Sequence, residues 1–380
     1  MLDNQRHLFP LAADDAYLNG ASRSPQLIAG AAAARAALRW REENSGMPID
    51  AFFEPVDRLR ATFARLINAR EADRVALIPA ASYGIATVAK NLPLLRGQKI
   101  IVLQDQFPSN FYAWHRKCAD AGAHLVTVAR PGNGERWTDA VLQAIDEDTA
   151  AVAMPHVHWS DGTPFDLAAI RTRTEEVGSW LIIDGTQSIG ALPFDVEHIR
   201  PDALIAGGYK WLLGPYGCGY AWYGPRMDDG VPLEENWINR DGSHDFSRLA
   251  DYRHAYRPLA GRYSVGQHSN FLSIPMQQAA LDQLLEWRPE RVQEYTAALW
   301  REIEDDLGDL GIALPVVRAH HLIGLRLPPN MEMDKAQREL AERRVSVSYR
   351  GELIRISPSV YNLPEEMHRT VAALRAAIRT

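Results

Sequence analysis

The sequence predicts an α/β fold, a mostly parallel sheet flanked by helices, followed by a smaller α+β domain. Three observations carry that expectation. Short apolar runs alternate with longer segments of helical spacing through the first two thirds of the 380 residues. The runs are apolar at nearly every position, as strands buried on both faces of a parallel sheet are. After about residue 225 the rhythm changes, and strand signals return only near residue 322.

The strands are read at 99–103, 125–128, 150–154, 180–183 and 203–206, with helices between them at 111–121, 139–145 and 167–177. Asp166 is a natural N-cap for the last helix. Residues 218–223 follow a strand after only a short turn, so one antiparallel strand is expected to join the sheet. The alanine-rich stretch 31–37 is ordinary helix. Residues 227–262 lack sustained periodicity and read as a long, partly ordered connection. Helices are expected from Pro275 through 286 and over 289–304, a strand at 322–327, and a final helix over 365–378. The expected division is a large domain over 16–255 and a small one made of 1–15 and 256–380.

Composition narrows the function. With 41 basic against 48 acidic side chains the net charge is −7 and no block of like charges stands out, which counts against a protein that grips nucleic acid mainly through its phosphates. Cys118 and Cys218 are the only cysteines, too few for a disulfide framework or a four-cysteine zinc module. The first ten residues lack the apolar core of a secretory signal, and no apolar run reaches the roughly 18 residues of a spanning helix. The expectation is a cytoplasmic protein with no membrane association. His156 and His158 are read as a poor metal pair, and no metal is expected.

Ligands of open α/β sheets collect at the carboxyl ends of the strands. Leu181-Ile-Ile-Asp184 ends one apolar strand in a carboxylate, and Ala203-Leu-Ile-Ala-Gly-Gly-Tyr-Lys210 follows another with an ammonium. They lie 26 residues apart, about one strand-helix-strand unit, so both are expected in one crevice. Taken alone, the pair fits a structural ion pair as well as a site.

The surroundings decide between them. Asp184-Gly-Thr-Gln-Ser-Ile-Gly-Ala-Leu-Pro-Phe-Asp195, then Pro201-Asp-Ala-Leu-Ile-Ala-Gly-Gly-Tyr-Lys-Trp-Leu-Leu-Gly-Pro-Tyr-Gly217, resembles the signature of class V aminotransferases, a family of fold-type I pyridoxal-phosphate enzymes. The resemblance extends from Tyr17-Leu-Asn-Gly20 to Ile354-Arg-Ile-Ser357. It implies a large domain built on a seven-stranded sheet, pyridoxal 5'-phosphate as cofactor, and a homodimer with shared active sites.

Residue by residue, the resemblance implies that Lys210 forms a Schiff base with the cofactor and that Asp184 pairs with its pyridine nitrogen. Gln187 would touch the phenolic oxygen, where Trp159 replaces an asparagine of some relatives. Phe107 would stack on the ring. Ala81 and Ser82 would open a helix whose N–H groups face the phosphate, with the Tyr209 hydroxyl as a further donor. Ser269 and Asn270 match a segment that reaches the neighbouring subunit's phosphate. Arg355 would bind the substrate α-carboxylate through its planar fork, with Asn19 and His158 bordering the substrate. The Gln106-Phe-Pro-Ser-Asn110 stretch, and Tyr209 where cysteine desulfurases carry histidine, place the chain nearer the kynureninase and epimerase-like branches.

The expected activity is therefore on the amino group of a small amino acid or amine, with transamination as the best single label. A kynureninase-like hydrolase, a β-lyase and an epimerase stand behind it. Persulfide transfer is disfavoured, because no cysteine follows Cys218 and Cys218 is expected to be buried in a tight turn. Epimerisation needs a second base, for which His158, Tyr83 and His268 are candidates. The 234–262 connection is expected to wall the substrate pocket. A binding module without turnover is the contrasting class, and retention of Lys210, Asp184 and Arg355 together argues against it.

Overall fold

Seven strands form the central sheet: β1 (Val75–Ile78), β2 (Lys99–Leu103), β3 (His124–Val128), β4 (Thr149–Pro155), β5 (Trp180–Asp184), β6 (Ala203–Gly207) and β7 (Gly219–Tyr223). The structure is a computed structural model that describes residues 2–132 and 135–378. The strand order is β1-β7-β6-β5-β4-β2-β3. Only β7 runs against its neighbours, pairing antiparallel with β1 and β6, as its short connection requires. β1 was not among the expected strands: four residues that run straight into Pro79 carry too little pattern to be told from a helix or a loop.

Period-two alternation sorts the strand side chains into two cores. In β5, Leu181 and Ile183 face one core, and Trp180 and Ile182 face the other. Helices α1 (Ile28–Glu43), α2 (Glu54–Leu66), α3 (Ala81–Asn91), α4 (Tyr112–Ala121), α5 (Trp137–Ala144) and α6 (Leu167–Glu176) belong to this part of the chain. Residues of α2, α5 and α6 pack into the first core, and residues of α3 and α4 into the second. Asp166 caps α6 as expected, its carboxylate accepting from the Ala169 N–H at 3.0 Å.

Downstream lie α7 (Ser273–Trp287), α8 (Pro289–Arg301), α9 (Met333–Glu342) and α10 (Pro364–Ala376). The helix expected over 289–304 stops at Arg301. The next turn opens after Ile303, whose φ of −127° is not helical, and runs over Glu304–Asp309. A three-stranded antiparallel sheet, β8 (Ile323–Arg326), β9 (Ser348–Arg350) and β10 (Leu353–Ile356), has the order β9-β10-β8. Ala16–Tyr17 pairs in parallel with Val345–Ser346, which ties the amino-terminal segment to this part. The 227–262 connection holds only single 3-10 turns, yet side-chain bonds fix it, such as Asn239 Nδ2 to the Arg262 carbonyl at 3.1 Å. Among the described residues, no helix is long and apolar enough to cross a membrane.

One glycine joins the two sheets. Gly162 has φ +81°, and a Cβ there would lie 1.8 Å from the Leu322 carbonyl oxygen. Gly324 N–H donates back to the Asp161 carbonyl at 3.0 Å. The loop after β4 is thus seated against the start of β8. Gly162→Ala combines an unfavourable φ with a backbone clash and is expected to lower stability by at least about 2 kcal/mol. Chemical denaturation checks this, and an unchanged midpoint would refute the close approach.

Candidate active site

Six of the seven central strands point the same way, so their carboxyl ends share one edge. A cavity of about 240 Å³ opens there. Into it the chain delivers Ala81 and Ser82 after β1, Phe107 after β2, Trp159 after β4, Asp184 at the end of β5, and Tyr209 and Lys210 after β6. Seven of the residues picked from the sequence line this one cavity: Ala81, Ser82, Phe107, Asp184, Gln187, Tyr209 and Lys210.

Lys210 is held by a tight turn rather than by a helix. Gly208 N–H donates to the Cys218 carbonyl, and Gly214 N–H to the Gly208 carbonyl, both at 2.8 Å. A Cβ at Gly208 would meet the Cys218 carbonyl oxygen at 2.8 Å, so the turn closes only around glycine. Leu213 takes a left-handed φ of +56°, a strained conformation for a branched side chain. The Lys210 Nζ lies 5.4 Å from the Phe107 ring centroid and 5.6 Å from that of Tyr209.

The electrostatics follow from burial. Burial pushes the Lys210 ammonium down from its ordinary 10.5 to about 8; the Asp184 carboxylate opposes the change, and the Arg355 and Arg350 guanidiniums add to it. Asp184, 7% exposed, is pushed up by burial, against hydrogen bonds from Thr186 and the charge of Lys210. Thr186 N–H donates to Asp184 Oδ1 at 3.0 Å, and the Thr186 hydroxyl accepts from Gly207 N–H at 3.0 Å, which locks β5 to β6.

α3 begins at Ala81, after an extended Ala80, and offers the N–H groups of its first turn to the cavity. Gln187 is occupied at both ends of its carboxamide. Its Nε2 donates to the Ala21 carbonyl at 3.0 Å, and its Oε1 accepts from the Trp211 indole at 3.0 Å. One N–H of the amide remains for a ligand. A buried lysine, a carboxylate, a helix N-terminus and an aromatic face in one cavity match the aldehyde, pyridine nitrogen, phosphate and ring of pyridoxal phosphate.

The other selected residues lie elsewhere. Arg355, fully buried, stands beyond the Trp159 ring: its Nη1 donates to the Trp159 carbonyl at 2.7 Å and its Nη2 to Ser22 Oγ at 2.8 Å. Asn19 joins this network through Ser348 rather than touching the cavity. His158 turns away from the cavity, its ring nitrogens against the Gln104 carbonyl at 3.2 Å and Ser160 Oγ at 2.9 Å. Ser269 gives its hydroxyl to the Phe52 carbonyl, and Asn270 accepts from the Leu272 and Ser273 N–H groups at the start of α7. Neither lies on the cavity of its own chain.

Two expectations need correction, and one residue was missed. Cys218 is half-buried and lines the cavity, because the Gly217-Cys-Gly219 turn packs against the Lys210 turn. The 234–262 connection does not reach this cavity within its own chain. Asn110 was not expected to have a role, yet it lines the cavity with a buried amide nitrogen that has no partner, while its Oδ1 accepts from Trp114 at 2.9 Å. Its place in the Gln106–Asn110 stretch was the only signal in the sequence.

The lowered Lys210 pKa is directly testable on the cofactor-free protein. The neutral amine fraction grows as pH rises through that value, so Lys210 acylation followed by mass spectrometry is expected to have its midpoint near pH 8. Asp184→Asn removes the group that holds the ammonium up, so its midpoint is expected to move lower still. A wild-type midpoint at pH 10 or above would contradict the burial argument.

Comparison with known proteins agrees with this geometry. The aminotransferase class-V family profile matches residues 48–363. An uncharacterized aminotransferase of Bacillus subtilis, YcbU, is 26% identical over 324 residues, 85% of this chain and 84% of its own length. A cysteine desulfurase of Shigella sonnei is 30% identical over 169 residues, 44% of this chain and 41% of its own. Among solved structures, the Escherichia coli cysteine desulfurase CsdA superposes with a TM-score of 0.84 at 19% identity, covering 98% of this chain and 97% of that one. The cystine C-S lyase C-DES superposes at 0.86 and 18%, covering 98% and 100%. Proteins of this kind are fold-type I pyridoxal-phosphate enzymes, and the chain belongs to the class V aminotransferase family.

Proposed function

We propose that the chain acts on the amino group of a small amino acid or amine, and that it is an aminotransferase. One observation carries this reading: a lysine with a depressed pKa and a buried carboxylate share one cavity at the carboxyl edge of the sheet. Bound pyridoxal phosphate would supply an electron sink for the substrate Cα. Lys210 would hold the cofactor covalently, and its free amine is placed to take a proton from the substrate Cα and return it. Asp184 presents its carboxylate to the pyridine nitrogen, and Thr186 orients it. The Ala81 and Ser82 N–H groups and the Tyr209 hydroxyl would hold the phosphate, Phe107 would cover the ring, and Gln187 would offer its remaining N–H to the phenolic oxygen. Arg355 takes the α-carboxylate, positioned by Ser22, Ser348 and Asn19. His158 has no part in it, because its ring nitrogens already have partners.

Epimerisation is disfavoured. Among the described residues none of the three candidate second bases, His158, Tyr83 and His268, lines the cavity of its own chain, and His268, beside Ser269, is pushed down to about 3 by burial. A β-lyase is the second reading, favoured by the cysteine desulfurase and C-S lyase relatives. With no cysteine after Cys218, such a lyase would work without a thiol on a carboxyl-terminal loop. The position of Ser269 and Asn270 away from their own cavity supports a homodimer in which they complete the partner's site. Trp40, 40% exposed beside Ser269 and Phe271, adds an apolar face to that side. Sedimentation at micromolar concentration is expected to give twice the chain mass, and a monomer would refute the shared site.

The absorption spectrum tests the activity. Purified protein with pyridoxal phosphate is expected to show a visible band that an amino donor bleaches with release of a stoichiometric 2-oxo acid. Lys210→Ala is expected to lose this band and to lower turnover by roughly 10²–10⁴-fold. Pyruvate and ammonia from a β-substituted alanine, without bleaching, would decide for the lyase. No band at all would sink both readings.

A further inference from the structure

The small sheet carries a second arginine, Arg350, toward the site. In the β9–β10 hairpin, Ser348 lies opposite Arg355, and Arg350 lies opposite Leu353. Cross-strand partners and residues two apart share a face, so Arg350 and Arg355 are diagonal neighbours on one face, roughly 7–8 Å apart at the backbone. Both heads converge on one ring. The Arg350 guanidinium carbon is 5.2 Å from the Trp159 centroid and that of Arg355 is 6.0 Å away. Trp159 is itself a wall of the cavity.

Two guanidiniums on one ring repel, and among the described residues no carboxylate is paired with either. Arg350 donates only to the neutral carbonyl of Tyr349, at 2.7 Å. Arg355 donates only to neutral oxygens, those of Trp159, Ser22 and Ser348. The nearby acids are committed elsewhere: Asp161 to Arg130 and His158, and Glu352 to Arg326. The Nε of each arginine is a buried donor with no partner, a condition that normally marks a missing anion or water. Arg355 is fully buried, so its charge cannot be screened by bulk solvent. The α-carboxylate of an amino acid neutralises one of these cations and leaves the other.

We propose that the substrate carries a second anionic group on its side chain, a carboxylate, and that Arg350 selects for it. The inference rests on the reading that Arg355 holds the α-carboxylate of an amino acid. A charge-assisted contact with a partly desolvated guanidinium contributes enough to favour the anion over a neutral isostere by at least about tenfold.

Two measurements test it. Calorimetric titration of the cofactor-free protein compares glutarate with pentanoate; the dicarboxylate is expected to bind at least about tenfold more tightly. The loaded enzyme is then assayed with glutamate against glutamine and with aspartate against asparagine, where the acid is expected to have the lower KM. Arg350→Gln is expected to bring both ratios to within about threefold of unity, through KM rather than kcat. Arg350→Lys, which keeps the charge but loses the fork, is expected to retain part of the preference. Equal binding of glutarate and pentanoate by the wild type, or an equal loss for acid and amide in Arg350→Gln, would overturn the proposal. A glutarate preference that depends on Arg350, with no amino acid turned over, would leave the anion site standing and remove the amino-acid reading instead.

Discussion

The site depends on burying an ammonium and a carboxylate together at the edge of a sheet. Each charge taken alone into that cavity would be neutralised by desolvation. Asp184 offsets part of the penalty on Lys210, and Lys210 part of that on Asp184. What survives is a lysine lowered to about 8, within reach of both protonation states, and a carboxyl pushed up by burial against the hydrogen bonds of Thr186. The parallel sheet makes this possible, because β5 and β6 lie side by side and end together. The strained turn at Leu213 and the glycines at 207 and 208 then bring the lysine back over the strand ends.

The second constraint is that chain segments far apart in sequence must meet at the substrate side. Asn19, Ser22, Ser348 and Arg355 form one hydrogen-bonded network that joins the amino-terminal segment to the small sheet. Gly20 lies against the same region, where a Cβ would come 3.1 Å from the Tyr361 hydroxyl and 3.2 Å from the Trp211 ring. Trp211 in turn donates to Gln187, on the loop after β5. A shift of the small sheet would therefore be felt at Arg355, Trp211 and Gln187 together. Arg355 and Gln187, proposed to meet substrate and cofactor, thus share a single packed support.

Much of this was legible in the sequence, for physical reasons. Doubly buried strands such as 150–154 and 203–206 read as continuous apolar runs, so the sheet and its antiparallel addition at 218–223 were visible. Asp184 and Lys210 stood out because each charge follows an apolar strand, and only the motif around them decided between an ion pair and a site. β1 was too short to announce itself, and the helix expected over 289–304 concealed a break at Ile303 that no proline or glycine marks. The orientation of His158 and the exposure of Cys218 depend on how loops pack, which no local pattern records. Ser269 and Asn270 could be placed by resemblance only, since their own chain gives them partners away from the cavity.

The distribution of bases bears on which reaction the cavity can run. Moving a proton from Cα to the cofactor on one face of the substrate needs one base that can also act as an acid. Inverting Cα needs two, one on each face. Lys210, with its value near 8, suits the single-face transfer, because close to neutral pH it takes a proton readily and gives it back. Phe107 and Trp159, which also line the cavity, meet edge to face at 5.6 Å and carry no proton to exchange. His156, the other buried imidazole near the end of β4, is pushed down to about 3 by burial and stays neutral, with its ring against Phe194. Among the described residues Lys210 is the one amine that lines the cavity, which supports the proposed proton movement along one face, the stereochemistry that transamination and β-elimination share and epimerisation does not.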